Sequence, residues 1–451
     1  MALGKRVEEQ QKMWVATTSL PKSVGHIFYR KLNRVLAEAD FDRAVERMCE
    51  PYYHSHMGRP SIPPGVYFRM LLVGYYEGIG SQRGIAWRCA DSLSLREFLG
   101  IPLTEETPDH SSLTRVRDRL PLDVHAAVFQ WVLALAVEKR LVPGKTVAVD
   151  ATTLEADAAM KSIVRRDTGE DWKEYLRRLL KEEQGVDNPT DEELRRFDKQ
   201  RKDKRVSNEE WVSETDPDSR ITKMKDGTTH LAYKAEHVVD LKTELVLAAS
   251  IRHADEGDAD TMVDSVMEAQ MNLSEAGVDV KIEEAVADKG YHATDTIELA
   301  EAVGVRTYIP ERKIKGKGKR KWRDVPEEKR RAFVNNRRRV RGARSRRLQR
   351  LRSELVERSF AHVCGTGGAR RSWLHGIEKV QKRYLIAAVA RNLGLLMRKL
   401  FGIGTPRGLQ AEGGLAAIVC LAWIHIPSLF HCSYRVPRSH CVPWKSCATA
   451  A

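Results

Sequence analysis

A chain of 451 residues has room for two or three domains, because single cores rarely grow past about 250 to 300 residues. Its formal charge of +14 points to a polyanionic partner, while seven irregularly spaced cysteines exclude a disulfide scaffold. The first ten residues lack the apolar centre of an export signal, and the longest apolar run, Leu415 to Phe430, falls short of the roughly 20 residues a bilayer needs and contains His425 and Pro427. The expectation is a cytoplasmic protein with no membrane partner.

Residues 1–141 read as an all-α domain. Arg30 to Ala39 and Phe41 to Cys49 are short helices, the second with Asp40 as its N-cap. Pro63-Pro64 opens a helix to Glu77 in which Val66, Met70, Leu71 and Tyr75 repeat at helical spacing. Gly78 to Gly80 closes it, and Ser81 caps a further helix, Gln82 to Ala90, carrying Arg83, Trp87 and Arg88. Two helices joined by a tight glycine turn are compatible with a helix-turn-helix, whose second helix enters a DNA groove, and equally with an ordinary bundle bearing surface arginines. Asp109 or Ser111 then caps a stretch with Arg115, Arg117 and Arg119, followed by an apolar helix from Val124 to Glu138.

Thr146 to Val149 form an apolar β-run after Gly144 and end on Asp150. A carboxylate held at a strand tip can bind a metal or cap the following turn. From Glu155 to Ser213 the chain is dense in charge and reads as a mostly helical, solvated insertion, about 155–225 in all. The period then changes to two: His230 to Asp240, a turn at Leu241-Lys-Thr, and Glu244 to Ile251 make a β-hairpin. Asp258 to Glu275 is a helix. Glu284-Ala-Val-Ala-Asp288 repeats the first device, an apolar strand ending on an acid, before Gly290, a helix from Thr294 to Ala302 and a strand at Thr307 to Pro310. Lys289, Tyr291 and His292 follow that acid and are placed to steady a phosphate, with packing or capping the alternative for His292.

Between Arg312 and Arg352 stand 20 lysines and arginines against 3 acidic residues, a net of +17. The remaining 56 basic and 59 acidic residues make the rest of the chain net −3. The glycine-spaced lysines of 313–323, with Trp322, suit a loop that follows phosphates. Helices at Pro326 to Arg341 and Ala343 to Phe360 come next, the latter with Leu348, Leu351 and Leu355 on one face. Glu354 and Glu357 stand among its arginines, where each can simply form salt bridges.

Six stretches together resemble the DDE transposases of bacterial insertion sequences: Gly58-Arg-Pro-Ser-Ile-Pro-Pro64, Thr146-Val-Ala-Val-Asp-Ala-Thr-Thr153, Asp216-Pro-Asp-Ser-Arg220, Ala287-Asp-Lys-Gly-Tyr291, Glu354-Leu-Val-Glu-Arg-Ser-Phe360 and Asn392-Leu-Gly-Leu-Leu396. The resemblance implies an α/β chain with an RNase H-like mixed sheet flanked by helices, interrupted after its first strand by the charged helical insertion. It assigns 142–400 to that catalytic domain, with the basic segment at 312–352, and leaves 401–451 as an atypical tail. It makes Asp150, Asp288 and Glu357 the catalytic, metal-binding acids. Glu357 is preferred to Glu354 because the family's glutamate is similarly followed by an aromatic-bearing turn, and Arg352 matches an arginine upstream. Ala361-His-Val-Cys364 stands where the family has a lysine, a departure that bears on the helper residues. Three carboxylates suit Mg²⁺, for which Mn²⁺ can substitute; two such ions support in-line phosphodiester displacement. The resemblance further implies double-stranded DNA as partner, a homo-oligomer on it, and nucleoid association. DNA contacts are expected from Arg83 and Arg88, from Lys289, from Arg320, Lys321 and Arg323, and from Arg337, Arg338 and Arg352.

In the tail, Cys432, His440, Cys441 and Cys447 have the spacing of no standard zinc finger. Two other readings stay open from sequence: a DNA-binding relative that represses transposition, and a structure-selective nuclease.

Overall fold

The computed structural model describes residues 14–20, 25–54, 57–58, 60–202, 206–224, 227–312 and 325–411. The chain divides into one unit up to Arg407 and a second from Gly408, of which Gly408–Ala411 is described. Arg320, Lys321, Arg323 and the cysteines and histidine of the tail lie outside the described residues.

The amino-terminal region is helical: α1 (Ile27–Glu38), α2 (Phe41–Cys49), α3 (Pro64–Glu77), α4 (Gln82–Ala90), α5 (Leu93–Leu99), α6 (His110–Arg119) and α7 (Leu122–Glu138). The capping chemistry read from sequence holds at most of these ends. Ser81 accepts from Gly84 N, Asp109 from Ser112 N, and Gly78 closes α3 in the left-handed conformation that glycine tolerates best. Asp40 differs: it sits before α2 in the left-handed region with φ 55° and makes no side-chain cap bond, its carboxylate lying beside Arg43 instead.

The sheet begins with β1 (Thr146–Glu155), followed by β2 (Ile163–Arg165), α8 (Trp172–Gln184), α9 (Asp191–Gln200), β3 (Trp211–Ser213), β4 (Arg220–Lys223), β5 (Thr229–Asp240) and β6 (Val246–His253). Next come α10 (Asp258–Glu275), β7 (Glu284–Val286), α11 (Thr294–Ala302), β8 (Arg306–Tyr308), α12 (Glu327–Arg341), α13 (Ala343–Phe360) and α14 (Ile377–Phe401), with a π-helical segment at Ala361–Thr366. The main sheet has the order β4-β5-β1-β7-β8, with β6 also on β5. β1, β5 and β6 are antiparallel neighbours, whereas β7 and β8 run parallel to β1. β2 and β3 form a separate ribbon, and α8 and α9, each begun by a capping box, share a small core of Leu176, Leu180, Leu194 and Phe197.

β1 is longer than its apolar run suggests. Asp150 lies in its middle, because Ala151-Thr-Thr-Leu-Glu155 continues to pair with β5 as far as Glu155 opposite Ala232. The β-branched pair after the aspartate keeps the backbone extended. The strand tip expected at Asp150 is therefore an edge in one direction only, where β7 stops and β5 goes on.

α14 ties the two regions together. It is buried on every side from Tyr384 to Met397 and packs on α7, α3 and β6. Asn392 accepts from Val246 N at 3.0 Å and donates to Val246 O at 2.9 Å, closing the backbone bonds at the start of β6. Gly394 is required because an added Cβ would meet Gly404 O at 2.8 Å. Asp216, fully buried, receives both the Tyr233 hydroxyl and Gly376 N, and Asp218 accepts from Ile377 N. Those two acids thus fix the start of α14. One core runs from Phe28 to Met397 through helices and sheet alike. Among the described residues no single helix is long and apolar enough to cross a membrane.

Candidate active site

β1 and β7 pair in parallel with Thr146 opposite Glu284 and Ala148 opposite Val286. Two residues further along each chain stand Asp150 and Asp288, so the register brings the two acids level at the carboxyl end of the parallel pair, on neighbouring backbones about 4.8 Å apart. The carboxyl ends of parallel strands, where the sheet changes direction, are where open α/β sheets place their ligand sites.

The two acids are held differently. Asp288 caps a 3₁₀ turn, Lys289–Tyr291, its Oδ1 accepting from Gly290 N at 2.6 Å. A Cβ at Gly290 would lie 2.8 Å from Asp288 Oδ1 and 3.0 Å from Asp258 Oδ2, so a side chain there would push the Asp288 carboxylate out of place. Asp150 accepts from Ala151 N at 2.9 Å through Oδ1, and its Oδ2 receives the Arg352 guanidinium at 2.5 Å. Burial raises the Asp150 pKa above the ordinary carboxylate value and the neighbouring Asp288 charge adds to this, against the opposing pull of Arg352.

Arg352 arrives on α13, which is clamped across the ends of β7 and β8. Gln349 donates to Ala287 O at 3.0 Å and to Tyr308 O at 2.7 Å, and its Oε1 accepts from Arg352 Nε at 3.2 Å. Lower on the same helix, Ser359 Oγ lies 2.8 Å from His237 Nδ1, and His237 is the strand neighbour of Asp150 on β5. Its ring stacks on Phe360 and its Nε2 meets Tyr384 OH at 2.8 Å. Complete burial lowers its pKa to about 3, the Arg391 charge helping, so it is a neutral spacer between sheet and helices.

A second buried network supports Asp288 from the α10 side. Tyr291 donates its hydroxyl to Glu236 Oε1 at 2.8 Å, Ser265 donates to Glu236 Oε2 at 2.5 Å, and Arg252 Nε stands 3.5 Å from the latter. Lys234 bonds Thr261 Oγ1 at 2.9 Å and pairs with Asp258 at 3.1 Å. Tyr291 is buried at 1% exposure and faces this network, so it does not present its hydroxyl to a phosphate. Sequence reasoning passed over Glu236, His237 and Lys234. Their one signal is three ionisable residues in a strand, Tyr233-Lys-Ala-Glu-His237, that is buried on both faces.

Glu357 is exposed, and its Oε1 accepts from Ser353 Oγ at 3.0 Å. Glu354 is also exposed and pairs with Arg358 at 2.5 Å. Five residues separate Arg352 from Glu357, a turn of about 140° around a helix of 3.6 residues per turn. With Arg352 aimed at Asp150, Glu357 points elsewhere. Among the described residues no three His, Cys, Asp or Glu side chains stand close enough to hold a metal ion.

Of the basic residues, Arg83, Lys289 and Arg338 are exposed. Arg88 lies 3.7 Å from Glu77, and Arg337 is engaged with Glu311 through two of its three nitrogens, Nε at 2.5 Å and Nη2 at 2.7 Å. Arg352, 14% exposed, is the partner of Asp150.

The fold is an α/β mixed sheet with basic helices beside it, and it carries two aspartates level with each other just past the parallel pairing of β1 and β7. Residues 143–393, more than half of the chain, match the family described as "Transposase DDE domain", and residues 19–119 match "Transposase domain (DUF772)". The chain belongs to the DDE transposases of insertion-sequence type, metal-dependent enzymes that cut and transfer DNA. The DDE domain implies an RNase H-like fold, with which the strand order β6-β5-β1-β7-β8 agrees. Comparison with curated proteins and with solved structures gives no match.

Proposed function

We propose that this chain cleaves DNA at the ends of its element and joins those ends to target DNA, with Asp150, Asp288 and Glu357 as the acids of the site. The parallel register that brings Asp150 and Asp288 level carries the reading. The donor set fits a divalent metal: hard carboxylate oxygens, one of them on a half-buried aspartate whose negative charge a cation would compensate. Asp150 and Asp288 would hold Mg²⁺ or Mn²⁺ jointly, and Glu357, which faces away from them on α13, is the third acid the family resemblance supplies. Held by these acids, a divalent ion would supply activation of a water or 3′-hydroxyl and stabilisation of the leaving oxygen.

The chain's own residues do the rest. The Asp288 turn, pinned by Tyr291 on Glu236, keeps one carboxylate fixed, and the β5 pairing that runs on past Asp150 fixes the other. Exposed arginines of α12 and α13, including Arg338, Arg346, Arg347 and Arg350, form a track for the DNA backbone. Arg83 at the exposed start of α4 belongs to the region that would read the end sequence, and the active form is a homo-oligomer on double-stranded DNA. The test is incubation of the purified protein with labelled element-end DNA and Mg²⁺ beside Asp288→Ala. Strand cleavage by the parent and none by the variant is expected; binding without cleavage by the parent overturns the enzymatic reading.

A further inference from the structure

We propose that Arg352 makes metal loading at Asp150 depend on DNA: without DNA its guanidinium holds the Asp150 carboxylate, and a backbone phosphate takes the guanidinium over. The inference rests on Asp150 being a metal ligand.

Three observations carry it. First, the contact is direct, with Nη1 2.5 Å from Oδ2 and both groups largely withdrawn from water, at 14% and 24% exposure. A guanidinium at that distance occupies a lone pair that a divalent ion needs and repels the ion as well, and the effect is large where water is scarce. Second, the guanidinium bonds through two different nitrogens, Nε to Gln349 and Nη1 to Asp150. Nε is tied to Gln349, which is itself held by two backbone carbonyls, so the guanidinium can change partner without α13 moving. Third, Arg352 stands where a substrate phosphate must come, because it already touches Asp150. A DNA phosphate delivered to the paired acids therefore comes within reach of its guanidinium. Guanidinium groups bind phosphate bidentately, and each such contact also releases counter-ions from the DNA.

The sequence of events follows from charge alone. DNA-free protein keeps Asp150 neutralised by Arg352. A phosphate draws Arg352 away, leaving beside Asp288 a second uncompensated carboxylate, and this pair then has a strong demand for a divalent cation. Because coupling between two ligands is reciprocal, metal must strengthen DNA binding by the same factor by which DNA strengthens metal binding.

The experiment is calorimetric titration of the full-length protein with MnCl₂, alone and with a short DNA duplex of arbitrary sequence at low salt. In the parent the duplex should tighten Mn²⁺ binding by at least about tenfold. Arg352→Gln, which cannot neutralise Asp150, should bind Mn²⁺ without DNA at least about tenfold more tightly than the parent, and the duplex should add little. Arg352→Lys, which keeps the charge, should remain weak without DNA. A parent-like dependence on DNA in Arg352→Gln overturns the proposal. Asp150→Asn should abolish the DNA-dependent Mn²⁺ binding; if it binds Mn²⁺ as the parent does, the metal-ligand reading itself has failed and the proposal with it. Should Arg352→Gln prove unfolded by circular dichroism, the reciprocal measurement on the parent decides. Duplex affinity must rise with Mn²⁺ over EDTA by the factor seen in the metal titration, and equal affinities overturn the inference.

Discussion

Tyr291→Phe removes one oxygen from the turn that carries Asp288, and the structure says what that oxygen does. The ring is buried and its hydroxyl donates at 2.8 Å to Glu236, a carboxylate with 1% exposure. Burial, with the Glu236 charge beside it, raises the phenol pKa well above its ordinary value, so the group is a donor throughout the working range. After the substitution Glu236 retains Ser265 at 2.5 Å and Thr261 at 3.2 Å, with Arg252 at 3.5 Å, and is left under-bonded by one donor. A hydrogen bond to a buried charge contributes about 1.5–3 kcal/mol, and no new cavity beyond one oxygen offsets it. The expected loss is about 2 kcal/mol in urea-induced unfolding. A second loss is expected in function. With the turn no longer pinned, Asp288 should be held less accurately, and strand cleavage by folded protein should fall about tenfold or more, since displacements of about 1 Å cost that much. Unfolding free energy within about 0.5 kcal/mol of the parent, together with parent-like cleavage, would refute the assignment of Tyr291 as the strut of the Asp288 turn.

His237 is buried neutral with its pKa lowered to about 3, and burial likewise lowers His125 to about 4. Each takes up a proton on unfolding, so stability is full above about pH 6.5 and is lost as pH falls below it, by about 1.4 kcal/mol per pH unit per histidine; His237→Asn should remove one proton from that slope in denaturation measured between pH 6.5 and 4.5. Glu357→Gln should abolish cleavage while Glu354→Gln, which gives up only an exposed i,i+4 pair with Arg358, should keep cleavage within a few-fold and cost under about 0.5 kcal/mol; the reverse pattern in a cleavage assay would move the third acid to Glu354. Asn392→Ala leaves the N–H and C=O of Val246 without their partner, which should cost about 3 kcal/mol and speed amide exchange at the start of β6.

Local chemistry was legible where it is local in the chain. The ends of α4, α10, α11 and α13 fall where the sequence puts them, α4 through its Ser81 cap, because helix starts and stops are set by residues within a turn or so of the boundary. The length of β1 was not, since what holds Ala151–Glu155 extended is β5, more than 70 residues away. Asp40 carries the residue type of a cap without its bond, for its backbone turned left-handed to join α1 to α2. The all-α region and the sheet read as separate lengths of sequence, yet α14 draws both into one core.

By itself the sequence determined the two apolar runs that end on Asp150 and Asp288, the concentration of positive charge before α13, and the motifs that resemble a transposase. It could not determine which side chain of α13 meets Asp150. The choice between Arg352 and Glu357 is a matter of helix rotation, and rotation is set by Gln349 on the ends of β7 and β8 and by Ser359 against His237. Those are contacts between elements far apart in the chain, and only the folded molecule supplies them.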